Sequence, residues 1–269
     1  MDQEIYLREW QRRRLPVLRE ETFPASRYAD QLTLVVYTFP PDSAEEDFFQ
    51  WIECAILQSW SLLGALKCVI VAHKPFPAVE RFARKYSLVE LQIEPTLLPG
   101  KISTMSYDCN TRLYQRFTTP YCLVIQDDGF PLRDRMDEFL GRWDYIGAPL
   151  VRSGFRRHLA NFLHLATMNG GFSLRSRAFC SYVSHTWFHL WRHLLPPSSP
   201  LFPEDFFYTT TMRLLPLTHW KFRFPDEETA FRFSVDLLDG YVQNPPAVSP
   251  LGFHGKYTAS RYLPPFPQG

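Results

Sequence analysis

The stretch CLVIQDDGFPL, residues 122–132, decides how this chain is read. An apolar run from Cys122 to Ile125 stops at Gln126, Asp127 and Asp128, and Gly129 and Pro131 follow. Such a run, closed by turn formers, suits a strand buried on both faces, here residues 121–125. Adjacent carboxylates repel each other and are costly to bury. Either a positive group faces them, or they lie in a solvated turn.

Toward the N-terminus the pattern repeats. LTLVVYTF (32–39) is a buried strand ended by Pro40 and Pro41. In residues 43–63, Phe48, Ile52, Ile56 and Leu63 recur at helical spacing, and Ser43 with Glu46 forms a capping box. CVIVA (68–72) and LVELQI (88–93) are strands, AVERFARKYS (78–87) is a helix, and 102–117 is a helix with Met105, Cys109 and Leu113 on one side. Strand and helix in alternation predict parallel βαβ units, with helices on both faces of one sheet. Ligands of such sheets bind beyond the carboxyl ends of the strands. Asp127 and Asp128 stand at one of those ends.

Toward the C-terminus, WDYIGAPL (143–150) and MNGGFSLRS (168–176) are short strands around a basic loop with Arg152, Arg156 and Arg157. Helices are expected over 177–193 and from PEDFF over 203–215, whose proline and acids suit a helix start. The expected plan is one domain over 31–257 on a continuous sheet. A charged arm, residues 1–30, broken by Pro16 and Pro24, lies outside the main core, and 258–269 form a proline-rich tail.

The totals narrow the class. The chain has 269 residues, 45% hydrophobic and 21% charged, which is ordinary for a globular protein. A net charge of +1 supplies no field to draw in nucleic acid. Five cysteines without a CxxC pair read as reduced, buried thiols of a reducing compartment. No secretory signal region is visible, and no apolar run approaches the roughly 20 residues that span a bilayer. A soluble cytoplasmic protein is expected.

Four motifs remain: QDDG (126–129), NGGFSLRSR (169–177), PEDFF (203–207) and GFHGK (252–256). With YIGAP (145–149), and in this order, they resemble glycosyltransferases of the GT-A fold. In detail the chain is similar to a bacterial family known mainly as an uncharacterised domain family, with IQxDGF, YIGAP, NGGFSLRS, PEDxFF and GFHG over about residues 30–256. The resemblance implies an α/β, GT-A-like (Rossmann-like) mixed and mainly parallel sheet, flanked by helices. It implies a nucleotide-binding half over 31–130 and an acceptor half over 131–257.

It further implies a metal-dependent glycosyltransferase that moves a sugar from a nucleotide-sugar, UDP-linked by expectation, to the hydroxyl of a glycan or other acceptor. Mn2+ or Mg2+ would bridge the diphosphate. Asp128, last in a DxD-like motif whose first residue is Gln126, would hold the metal with His254. Gln126 and Asp127 would face ribose or sugar, and Lys256 the diphosphate. Asn169, Gly170 and Gly171 would approach a sugar. From topology alone, Tyr37 and Thr38 stand at the carboxyl end of the first strand, where a nucleobase would stack. An inverting transfer needs a base, Asp205 first and Glu204 second. Each motif also has a plainer use: a solvated turn, a loop histidine, a β-bulge, and acids on a helix dipole.

Two other classes stay open. A nucleotidyltransferase would carry a Gly-rich basic loop after the first strand, where this chain has the acidic TFPPDSAEED. A non-catalytic nucleotide- or sugar-binding module would bind without forming product. His185, His189 and His193 have metal-binding spacing but aromatic neighbours, which read as a partly exposed helix. REWQRRRLPVLRE (8–20) could touch an anionic membrane surface, though a solvated arm or oligomer contact is the simpler reading.

Overall fold

The computed structural model describes residues 2–149, 168–188, 204–208, 216–236, 249–255 and 259–263. Among them, six strands form a mixed sheet in the order β3-β2-β1-β4-β7-β6. β1 (Leu32–Thr38), β2 (Cys68–Ala72), β3 (Val89–Ile93) and β4 (Tyr121–Ile125) run parallel, and β6 (Tyr145–Pro149) and β7 (Met168–Ser176) pair antiparallel. β7 also pairs antiparallel with β4. All seven residues of β1 are buried, as befits a central parallel strand covered on both faces.

Leu34 and Val36 face one core with α2 (Glu45–Leu63) and α3 (Pro77–Lys85), while Val35 and Tyr37 face another with α4 (Ile102–Arg116) and α5 (Arg177–Tyr182). The crossovers from β1 run to β2 and β3 on one side, and β4 lies on the other. The strand order therefore reverses between β1 and β4, and a crevice is expected beyond their carboxyl ends.

Three expectations change. The N-terminal segment is no detached arm: α1 (Gln3–Glu20) packs on α2, burying Leu7, Trp10, Leu15 and Leu18 in the main core. It runs through Pro16, whose missing N–H would have served the carbonyl of the largely exposed Arg12, where water can substitute. The capping box is not made. A 3-10 turn over Asp42–Ala44 moves the helix start to Glu45, and Glu46 pairs with Arg81 instead.

The sheet is also not continuous. A second, three-stranded sheet joins β5 (Gly129–Pro131), β8 (Ser234–Val235) and β9 (Gly252–His254) in the order β5-β9-β8. It brings GFH against QDDG, with Gly129 opposite His254. The expected helix over 177–193 is α5 followed by a π-helical turn, Val183–Phe188, and its remainder lies outside the described residues. So do the basic loop, His189 and His193. The described cysteines are all free and buried.

Candidate active site

The acids of QDDG sit at the corners of a tight turn. The Gln126 N–H donates to the Gly129 carbonyl at 3.0 Å, and the Gly129 N–H donates back at 3.1 Å. The two carboxylates then part company. Asp127 accepts from Arg8 of α1, Nη2 to Oδ2 at 2.6 Å, and its carbonyl accepts from Gln11 Nε2 at 2.6 Å. Of the two alternatives the sequence left open, this is the positive group, and it comes from the segment read as an arm. Burial and the neighbouring Asp128 push Asp127 upward, against the pull of Arg8.

Asp128 turns toward His254. Its Oδ1 lies 3.5 Å from His254 Nε2, and its carbonyl accepts from the Gly255 N–H at 2.9 Å. Nε2 also lies 3.0 Å from Gln126 Oε1, and Nδ1 lies 3.1 Å from Asp236 Oδ2. Both ring nitrogens face acceptors, which suits an imidazolium that donates from both. Burial disfavours that charge, but Asp128 and Asp236 outweigh it and raise His254 to about 9. Gly255 adopts a left-handed φ of +85°, and a Cβ there would meet Asp236 Oδ1 at 2.7 Å.

The NGG motif packs behind this histidine. Asn169 donates to Asp236 Oδ2 at 2.7 Å, and its Oδ1 accepts from the Gly171 N–H at 2.7 Å. A Cβ on Gly171 would stand 2.1 Å from His254 Nε2, and one on Gly170 would stand 2.5 Å from Glu204 Oε1. The space these glycines leave is filled by the protein's own side chains, which corrects the expectation that it admits a sugar. Glu204, at the start of α6 (Glu204–Phe206), is buried. It accepts from Ser106 at 2.6 Å and lies 3.6 Å from the fully buried Arg175, which stacks on Tyr145 and Tyr208.

Not every expected residue joins the site. Tyr37 is buried and donates to Asp108 at 2.8 Å, so its ring belongs to the α4 core and cannot stack on a base. Thr38 is likewise fully buried. Asp205 is half-buried beside Glu204, and Lys256 lies outside the described residues. Asp236, Arg8 and Gln11 were missed. Asp236 follows a two-residue strand, too short to show in sequence, and the other two lie in a stretch whose charges disguise its buried side.

The divalent metal implied by the motifs can be tested against the donors. His254 has Nδ1 held by a carboxylate and Nε2 aimed at Asp128 Oδ1 and Gln126 Oε1, the arrangement of a ligating histidine with its supporting carboxylate. Asp236 Oδ1 is buried and has no hydrogen-bond partner among the described residues. Among the described residues, no three His, Cys, Asp or Glu side chains stand close enough to hold a metal by themselves. The set fits a hard cation that takes its other ligands from phosphate oxygens, and binding at Nε2 must displace a proton.

Comparison with known proteins gives a family and distant structural likenesses. Residues 91–254, more than half the chain, match the family described as "Protein of unknown function (DUF5672)". No curated protein matches the chain. Among solved structures, it is similar to the mannosyltransferase PcManGT from Pyrobaculum calidifontis in complex with GDP-Man and Mn2+, at 15% identity and TM-score 0.36. The likeness covers 66% of this chain and 53% of that one. The mannosyltransferase Ktr4p from S. cerevisiae gives 10% and 0.40, over 78% of this chain and 72% of that one. Glucosyl-3-phosphoglycerate synthase from Mycobacterium tuberculosis gives 15% and 0.36, over 57% and 59%. The chain thus spans about half the length of the first of these. Among the described residues, no helix is long and apolar enough to cross a membrane.

Proposed function

The chain belongs to the DUF5672 family, and we propose that it is a glycosyltransferase that moves a sugar from a nucleotide-sugar to an acceptor hydroxyl. The observation that carries the reading is the convergence of Gln126, Asp128, Asn169, Asp236 and His254 at the carboxyl end of β4, beside the reversal of strand order. A structural turn would need neither a half-buried histidine between two carboxylates nor a second sheet built to deliver it.

In this reading Asp128 and His254 hold a divalent cation, Mn2+ or Mg2+, which when bound would neutralise the departing diphosphate. Asp236 fixes the His254 ring through Nδ1. Gln126 and Asn169 offer hydrogen bonds to sugar or ribose hydroxyls, and Lys256 steadies the diphosphate. Asp205 takes the acceptor proton as its oxygen attacks the anomeric carbon and the sugar–phosphate bond breaks. Asp205 is the first choice and Glu204, whose oxygens face Ser106 and Arg175, the second. UDP is the first donor base to try, and the site would operate in the cytoplasm.

The charge of His254 favours a second version. Raised to about 9, it is protonated at neutral pH and could itself supply the positive charge beside the diphosphate. Chelation separates the two: EDTA stops transfer in the first and spares it in the second. The reading itself is tested by incubating the protein with a nucleotide-sugar mixture and analysing products. Asp128→Ala should abolish product while leaving the fold intact; full activity in that variant would sink the mechanism.

A further inference from the structure

The matched family region begins at residue 91, yet the QDDG turn is held from far outside it. Arg8 and Gln11 lie one helical turn apart on α1, and Arg8 Nη1 donates to Gln11 Oε1 at 3.0 Å. Each then donates at 2.6 Å to the same residue, Arg8 to the Asp127 carboxylate and Gln11 to its carbonyl. Gln11 is fully buried, and the Arg8 guanidinium lies 5.2 Å from the centre of the Trp51 ring on α2. The helix under this clamp is anchored by Trp10, stacked 5.8 Å from Phe130, next but one to Asp128.

We propose that Arg8 and Gln11 are positioning residues: they hold Asp127 on the α1 side of the turn so that Asp128 is the carboxylate presented to His254. The physical reason lies in the turn itself. Two adjacent corner carboxylates compete for one positive partner, and His254 can face only one of them closely. A guanidinium fork that bridges Gln11 and Asp127 removes Asp127 from that competition, and Lys, a point charge, would reproduce it only in part. The amino-terminal helix is therefore part of the site. The importance of that geometry for sugar transfer rests on the reading above; the geometry itself does not.

The experiment is amide hydrogen exchange on the free full-length protein, wild type against Arg8→Ala. The reporters are the Gly129 N–H, bonded to Gln126, and the Gly255 N–H, bonded to Asp128. Both should exchange at least ~10-fold faster in Arg8→Ala, with Val124 in β4 unchanged and Arg8→Lys intermediate. Loosening confined to α1 and α2, with both turn amides still protected, would overturn the proposal and leave Arg8 a mere staple. Should Arg8→Ala fail to fold, Gln11→Leu, close in shape, removes one clamp contact and is read in the same way. A parallel calorimetric titration with Mn2+ and UDP separates the two ideas. Absent binding in wild type counts against the transferase reading, while the exchange result still judges the clamp.

Discussion

Two clusters of acids, around Asp108 and Glu94 and around Asp128 and Asp236, differ in completeness. In the first, Asp108 accepts from Tyr37 and Arg116, and Glu94 accepts from Thr96, Arg112 and Arg116. Every carboxylate oxygen there has a partner. In the second, Asp236 Oδ1 is buried with no partner among the described residues, and Asp128 lies 3.5 Å from His254. A saturated network rigidifies a core. One with acceptors to spare, built around a charged histidine, has capacity for something that is not protein.

That contrast can be broken or sharpened by substitution. The largest effect is expected at Asp108, where Asp108→Ala leaves the buried Tyr37 hydroxyl unpaired and takes from Arg116 one of its two carboxylates, and should cost about 3–5 kcal/mol in denaturant unfolding. Next comes acid. Burial pushes Glu94 up, but Thr96, Arg116 and Arg112 outweigh it and hold it at about 2, against 4.5 ordinarily. The stabilisation is fully present above the ordinary value and is lost as pH falls from there through about 2. It should amount to roughly 3 kcal/mol and disappear in Glu94→Gln, as chemical melts across that range would show.

The open cluster should behave in the opposite way. Gly171→Ala must push the His254 ring aside, and should abolish metal-dependent nucleotide binding with a smaller loss of melting temperature than Asp108→Ala. Asp236→Asn keeps the shape but weakens the grip on Nδ1, and should lower metal affinity by about 10–100-fold in a competition titration. If these two variants cost stability as Asp108→Ala does and leave binding untouched, the open cluster is as structural as the closed one.

The βαβ alternation was legible because each strand is a short apolar run and each helix carries a 3.6-residue stripe; β4 at 121–125 and β7 at 168–176 fall where the sequence put them. QDDG and GFHG were legible as chemistry because carboxylates and histidine flanked by glycine are unusual beside buried strands. Their partners were not. The buried side of α1 is Leu7, Trp10, Leu15 and Leu18 with the polar Gln11, among many charges, so its docking on Phe130 cannot be seen from composition. Tyr37 was misplaced because β1 is buried on both faces, so a strand-end tyrosine turned inward to Asp108. The glycines of NGG make room for Arg175 on the same strand and for Glu204 and His254, the last two reached only after the chain folds back across more than thirty residues.

The most direct test is a calorimetric titration of wild type and Asp128→Ala with UDP, GDP, CDP and ADP, each with and without Mn2+. The account predicts that one nucleotide binds wild type only when Mn2+ is present, and that Asp128→Ala loses this binding while melting as wild type does. Binding of none of the four, or equal binding by the variant, would contradict it and reduce QDDG to a well-braced turn.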